Sequence, residues 1–224
     1  MIPKIIHQIY FNLYDKKLEE QEFFYRSHLN CSSQKGFKYI LWNEQTSLEL
    51  IKNEYNTYLK FYKDLRYDIQ RIDFVRFCIL HKYGGFYIDL DMIILQPLDS
   101  LINNTKVFHN IRYVKPNYSF IENDFMGVIK GHELWKHVMK YCVKNYNEKK
   151  EIDIYNTWKG RFVLQTTGPK FLARFIKKVF PKYKPLKLVY TKWSNDNKEN
   201  YYIEDYKLNT WVNKNKHYNL KKVI

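Results

Sequence analysis

Arg71-Ile-Asp-Phe-Val-Arg-Phe-Cys-Ile-Leu-His-Lys-Tyr-Gly-Gly-Phe-Tyr-Ile-Asp-Leu-Asp-Met92 decides how this chain is read. It opens as an apolar helix, stops at Gly84-Gly85, as glycines in the left-handed conformation commonly stop helices, and runs on as a strand from Phe86 to Ile94. In a strand, residues two apart face one side, about 6.6–7 Å from each other. Asp89 and Asp91 are therefore expected to point the same way, with Phe86, Ile88 and Leu90 packed on the other side. Two carboxylates this close repel each other unless a cation or hydrogen-bond donors stabilise them. Mg²⁺ or Mn²⁺ would do so, taking its other ligands from water and substrate phosphates. Strand ends are also where α/β sheets place ligands. Taken alone, an Asp-x-Asp pair reads more readily as two solvated aspartates in a turn than as a metal site.

The helix before it adds weight. Asp73 and Arg76 lie three apart and share a face. The Gly-Gly turn brings the strand back alongside them. An arginine among Phe74, Val75, Phe77 and Ile79 is costly to bury unless it has a partner, and its planar fork suits a phosphate or a carboxylate. The plainer reading is a helix ion pair worth about 0.2–0.5 kcal/mol.

Outward from this stretch, strands are expected at Ile5 to Tyr10, Phe37 to Trp42, Lys106 to Ile111, Phe125 to Ile129 and Leu186 to Thr191. Apolar spacing predicts helices over Ser47 to Tyr55, Ile69 to Lys82 and His132 to Asn145. Another opens at Gly168-Pro169, with proline suited to a first turn, and runs to about Phe180. The segment from Lys192 onward is polar and aromatic and has no clear assignment. Alternating strands and helices imply an α/β sandwich, and 224 residues without a linker or repeat imply one domain over 1–224.

The net charge of +15 favours anionic partners: phosphorylated small molecules, an acidic membrane surface touched peripherally, or nucleic acid. The lysines are scattered, with no basic block of the length a nucleic-acid tail needs, so nucleic acid is not expected. Three separated cysteines, Cys31, Cys78 and Cys142, argue against a disulfide framework or a zinc cluster and fit a reducing compartment. With neither a membrane span nor a secretory core in the sequence, a cytoplasmic location is expected.

Ile2-Pro-Lys-Ile-Ile-His-Gln-Ile-Tyr10, Tyr39-Ile-Leu-Trp42, Asp73-Phe-Val-Arg76 and Tyr83-Gly-Gly-Phe-Tyr-Ile-Asp89-Leu-Asp91, in this order, resemble the glycosyltransferases with a DXD sugar-binding motif. These include initiating α-1,6-mannosyltransferases, capsular sugar transferases and the cores of clostridial glucosylating toxins. Thr167-Gly168-Pro169 and Asn123-Asp-Phe-Met126 resemble further family segments. The resemblance implies a GT-A fold: an α/β nucleotide-sugar-binding sandwich whose mixed central sheet is flanked by helices. It also implies Mn²⁺ (or Mg²⁺), a UDP- or GDP-sugar donor, and a glycan, lipid-linked or protein acceptor. By that likeness, Asp89 binds the ribose and the sugar side, Asp91 coordinates the metal on the diphosphate with Asp89 beside it, and His217 is a further metal ligand. Asp73 and Arg76 hold the transferred sugar and diphosphate. Ile9, Tyr10, Phe11, Leu90, Asn123 and Asp124 line the donor pocket, with Tyr10 stacking on the base where many members carry Trp. The resemblance also implies a retaining transfer of a hexose.

Two other readings compete. A haloacid-dehalogenase-type phosphatase also begins with an apolar strand and Asp-x-Asp, but Met92-Ile93-Ile94 follows here in place of its usual Gly and Thr or Val. A basic nucleic-acid-binding module is allowed by the charge and supported by no motif.

Overall fold

The computed structural model describes residues 1–13, 16–102, 107–115, 118–149, 159–179, 187–192 and 202–205, with the backbone alone at 107–115, 118–120, 159, 179 and 187–192. Its strands are β1 (Ile5–Ile9), β2 (Lys38–Trp42), β3 (Gly85–Ile88), β4 (Met92–Ile94), β5 (Val107–Lys115), β6 (Tyr118–Val128), β7 (Lys187–Lys192) and β8 (Ile203–Asp205). The helices are α1 (Glu22–Ser32), α2 (Glu44–Glu54), α3 (Leu59–Asp64), α4 (Asp68–Tyr83), α5 (Asp99–Ile102), α6 (Glu133–Lys149), α7 (Lys159–Thr166) and α8 (Pro169–Arg174). A π turn, Phe175–Val179, prolongs α8.

The described strands form one mixed sheet in the order β2-β1-β3-β6-β5-β7-β8-β4. β1 runs parallel to β2 and β3, whereas β3 and β5 are antiparallel to β6. This is the mixed sheet flanked by helices that was expected.

α4 is the central helix. Every residue from Gln70 to Leu80 is buried, the pattern of a helix covered on all sides. It packs against α2 and α6, and Phe77 stacks on Trp135 at 5.3 Å with the rings 12° apart. Truncating an aromatic so placed costs about 3–5 kcal/mol.

The Gly-Gly stop is required, though not as a left-handed cap. Gly84 has φ 66° with ψ −160°, an extended backbone that only glycine holds comfortably. A Cβ on Gly84 would meet the Lys130 nitrogen at 2.6 Å, and one on Gly85 the Ile5 carbonyl at 2.5 Å. β3 is buried throughout: Phe86 and Ile88 pack with Ile2, Ile6 and Phe125, and Tyr87 packs with the α4 core.

One expectation is corrected here. Phe86 to Ile94 is not a single strand: β3 ends at Ile88, Leu90 and Asp91 form a turn, and β4 begins at Met92. The Met92 amide donates to the Asp89 carbonyl at 3.2 Å and closes that turn. Unbroken apolar residues on both sides hid the break. α1, α3, α5, α7 and β8 were not foreseen either. No described helix is long and apolar enough to cross a membrane.

Candidate active site

A cleft of about 320 Å³ opens between the end of β1, the first half of α4, the Asp89–Asp91 turn, β6 and the α7–α8 corner. Ile9, Tyr10, Phe11, Asp73, Arg76, Asp89, Leu90, Asp91, Asn123 and Asp124 all line it. His217 lies outside the described residues. Both aspartates of the Asp-x-Asp pair reach the cleft, because a turn rather than strand alternation presents them.

Arg76, 3% exposed, ties the site together. Its Nη2 pairs with Asp73 Oδ1 at 3.1 Å and its Nη1 with Asp89 Oδ1 at 3.3 Å. Nη1 also donates to the Asn123 carbonyl at 2.7 Å. The guanidinium lies over the Tyr87 ring, 4.6 Å from its centre, a cation–π contact that gains strength where water is excluded. Burial works against its charge, but Tyr87, Asp89 and Asp73 hold it, and its pKa moves upward. This is the partner that the sequence demanded for an arginine in an apolar helix, and it is no surface ion pair.

Asp73 is equally engaged. Oδ1 also accepts from Asn123 Nδ2, and Oδ2 from Thr167 Oγ1, each at 2.9 Å. Burial pushes its carboxyl up to about 6, against the pull of Arg76, Thr167 and Asn123. Thr167 thus joins the α7–α8 corner to α4. Asp89 is raised as well, chiefly by burial and despite Arg76 and the Tyr87 hydroxyl. Its amide donates to the Asp124 carbonyl at 2.8 Å, which ties the turn to β6.

Tyr10 follows β1 with its ring at the cleft. Its hydroxyl donates to the Lys16 carbonyl and accepts from Gln21 Nε2 at 2.6 Å, so its edge is tied to the loop between β1 and α1. Ile9 and Phe11, at 5% and 3% exposure, are core residues that also line the cleft.

Several lining residues escaped the sequence reading: Phe24, Tyr87, Glu122, Lys170 and Asp205. Tyr87 was findable, since it precedes Asp89 by two in an extended segment. Asp205 was not, because β8 has only three residues and offers no periodicity.

Among the described residues, six carboxylates line the cleft, those of Asp73, Asp89, Asp91, Glu122, Asp124 and Asp205, against the cations Arg76 and Lys170. In a chain of net charge +15 this is a local inversion of sign. Hard carboxylate oxygens at Asp89 and Asp91 fit Mg²⁺ or Mn²⁺. Among the described residues no three His, Cys, Asp or Glu side chains gather closely enough to hold a metal ion by themselves. A cation here would complete its shell from water and a substrate phosphate.

Comparison with known proteins agrees with this geometry. Residues 19–108 match the family described as glycosyltransferase sugar-binding region containing DXD motif. The chain is 33% identical over 196 residues to mannosyl phosphorylinositol ceramide synthase CSH1 of Saccharomyces cerevisiae, covering 87% of this chain and 45% of that protein. It is 34% identical over 176 residues to inositol phosphoceramide mannosyltransferase 3 of Schizosaccharomyces pombe, covering 77% and 44%. The chain thus spans less than half the length of these relatives. Among solved structures, the PaToxG glycosyltransferase superposes with a TM-score of 0.52 at 17% identity, over 80% of this chain and 70% of the other, which bears on the fold alone. The family match displaces the phosphatase reading. With Asp89-Leu90-Asp91 inside the matched region, residues 19–108 carry the DXD-containing sugar-binding region of glycosyltransferases, on a mixed sheet of the GT-A type.

Proposed function

We propose that this chain is a single metal-dependent, retaining hexosyltransferase domain. It would take a sugar from a GDP- or UDP-sugar and pass it to a lipid-linked, glycan or protein acceptor. The relatives' names make mannose the first sugar to test and inositol phosphoceramide the first acceptor. The observation that carries the reading is the meeting of Asp73, Arg76, Asp89 and Asp91 in one acid-rich cleft. A diphosphate entering so many carboxylates is repelled unless a cation lies between them.

When bound, a divalent cation held by Asp89 and Asp91 supplies charge neutralisation for the departing diphosphate. The protein's own residues do the rest. Arg76, fixed in place before substrate arrives, presents a preorganised positive charge, which costs no reorganisation during reaction. Asp73, held by Asn123 and Thr167, faces the transferred sugar and accepts from its hydroxyls. Tyr10 offers its ring to the nucleobase. Leu90, Ile9 and Phe11 give the cleft an apolar floor that excludes water. No side chain is assigned as a covalent nucleophile. The acceptor attacks from the side on which the diphosphate leaves, and a diphosphate oxygen takes its proton.

The test is a screen of GDP- and UDP-sugars for hydrolysis with Mn²⁺ and with EDTA. Release of GDP from GDP-mannose with Mn²⁺ alone is the expected result. No release from any nucleotide sugar, under conditions where the chain is folded, would remove the reading.

A further inference from the structure

Among the described residues, the Asp89–Asp91 turn has no strand beside it on one edge. Among the described strands, β4 ends the sheet order and pairs with β8 alone. On its other edge stands α1, whose side chains occupy the places of strand backbone. Asn30 Oδ1 accepts from the Ile94 amide at 2.8 Å, and Asn30 Nδ2 donates to the Ile94 carbonyl at 3.2 Å. Ser27 Oγ donates to the Met92 carbonyl at 2.6 Å.

Ser27 is itself held by Gln8, and both are fully buried. Gln8 Nε2 donates to Ser27 Oγ at 2.9 Å and to the Asp89 carbonyl at 3.4 Å. Gln8 Oε1 accepts from the Tyr39 hydroxyl at 2.9 Å. Since that hydroxyl has a single proton, His28 Nδ1, 2.8 Å away, is the donor to it. The bonds therefore run one way, His28 to Tyr39 to Gln8, and on through Ser27 to Met92. Gln8 and Ser27 spend every donor they have, and the network also fixes which way the Gln8 amide points. Chains of this kind stiffen one another in a low-dielectric interior.

The two carbonyls reached are those of Asp89 and Met92, the residues that bracket Leu90 and Asp91. An apolar side chain in place of Gln8 would leave the Ser27 and Tyr39 hydroxyls and the Asp89 carbonyl without these bonds, which is costly for buried groups. The choice makes sense if the turn has to be held against the repulsion of its own carboxylates. We infer that Gln8 and Ser27 are positioning residues that hold the Asp89–Leu90–Asp91 turn in the geometry that receives a divalent cation and a diphosphate. This rests on the proposed function of the cleft. Asn30, which grips β4 two residues further on, serves as the structural control.

The experiment is a calorimetric titration of the folded chain with GDP at a series of Mn²⁺ concentrations, beside thermal melts. The wild type is expected to bind GDP only with Mn²⁺; binding of GDP that ignores Mn²⁺ would overturn the reading of the cleft itself, and this inference with it. Given that dependence, Ser27→Ala and Gln8→Leu are expected to raise the Mn²⁺ concentration for half-maximal GDP binding about five- to tenfold. Ser27→Thr, which keeps the hydroxyl, is expected to restore it. Asn30→Ala is expected to lower the melting temperature while leaving the Mn²⁺ requirement in place. An unchanged Mn²⁺ requirement in Ser27→Ala, or an equal shift in Asn30→Ala, would overturn the positioning role. Ser27→Ala decides the matter even if Gln8→Leu does not fold, because it deletes a single buried hydroxyl.

Discussion

Arg76 and Tyr87 meet on the same oxygen. The guanidinium lies over the Tyr87 ring, and both groups reach Asp89 Oδ1, Arg76 Nη1 at 3.3 Å and the Tyr87 hydroxyl at 2.5 Å. One carboxylate oxygen is thereby fixed by two groups that also fix each other.

Tyr87→Phe keeps the ring under Arg76 and deletes only the hydroxyl. A hydrogen bond to a charged group is worth about 1.5–3 kcal/mol. Turnover of the nucleotide sugar should fall about tenfold or more, and kcat/KM measured with saturating Mn²⁺ checks it. A rate equal to wild type would assign the hydroxyl to packing alone.

Arg76→Lys keeps the charge and loses the planar fork. A lysine cannot meet Asp73, Asp89 and the Asn123 carbonyl together. Turnover should fall at least about tenfold, or roughly 1.4 kcal/mol of transition-state stabilisation. Read as a sequence, this variant should melt like wild type. The burial of Arg76 and Asp73 changes that expectation, since breaking a buried pair costs about 3–5 kcal/mol. Its melting temperature should fall as well, and a melt run beside the kinetic assay separates the two effects.

Asp91→Asn should behave differently, because Asp91 sits half-buried on a turn and not in the core. Nucleotide affinity measured with Mn²⁺ should drop to the level seen with EDTA, at an unchanged melting temperature. Retained Mn²⁺ enhancement would move the metal away from this residue.

Tyr10→Ala should cost about 1–3 kcal/mol of nucleotide affinity if the ring stacks on the base, by analogy with base–aromatic stacking elsewhere. Because the hydroxyl also holds Lys16 and accepts from Gln21, Tyr10→Phe is the needed companion. It removes those bonds and leaves the stacking surface. Equal losses in the two variants would mean that the loop, rather than the ring, is what the nucleotide needs.

His7 makes a pH prediction. Its Nε2 lies 2.9 Å from the Gly84 carbonyl, and Trp42 Nε1 donates to its Nδ1 at 3.2 Å, so Nε2 carries the proton and donates. Burial lowers its pKa from 6.5 to about 4. Between these values the unfolded chain binds the proton and the folded chain does not. The neutral ring's contribution is complete above pH 6.5 and is lost as pH falls towards 4, on the order of 3 kcal/mol at 1.36 kcal/mol per pH unit. The His7 imidazole resonances should not titrate above about pH 5, and melts between pH 7 and 4 should show a loss that His7→Gln reduces.

The sequence by itself determined the central unit: a largely apolar helix carrying Asp73 and Arg76, two glycines and a strand leading to Asp89-Leu90-Asp91. Apolar periodicity reports which residues leave water, and a Gly-Gly pair reports a backbone that no other residue adopts, so both are local signals. The resemblance of the first hundred residues pointed to the family for the same reason, since its motifs are short and contiguous. Tertiary structure decided the rest. That Asp89 and Asp91 lie on a turn follows from β4 leaving β3 to pair with β8, a contact that Met92 and Asp205 make across the chain. Periodicity cannot register it in strands of three residues. That Asp73 and Arg76 are buried follows from Asn123 and Thr167 arriving from β6 and the α7–α8 corner. That Gln8 and Ser27 reach the turn follows from β1 lying beside β3 and α1 standing beside β4. Each of these depends on which distant segments meet. The cost of burying a charge or an amide states that a partner must exist, but only the folded chain names it.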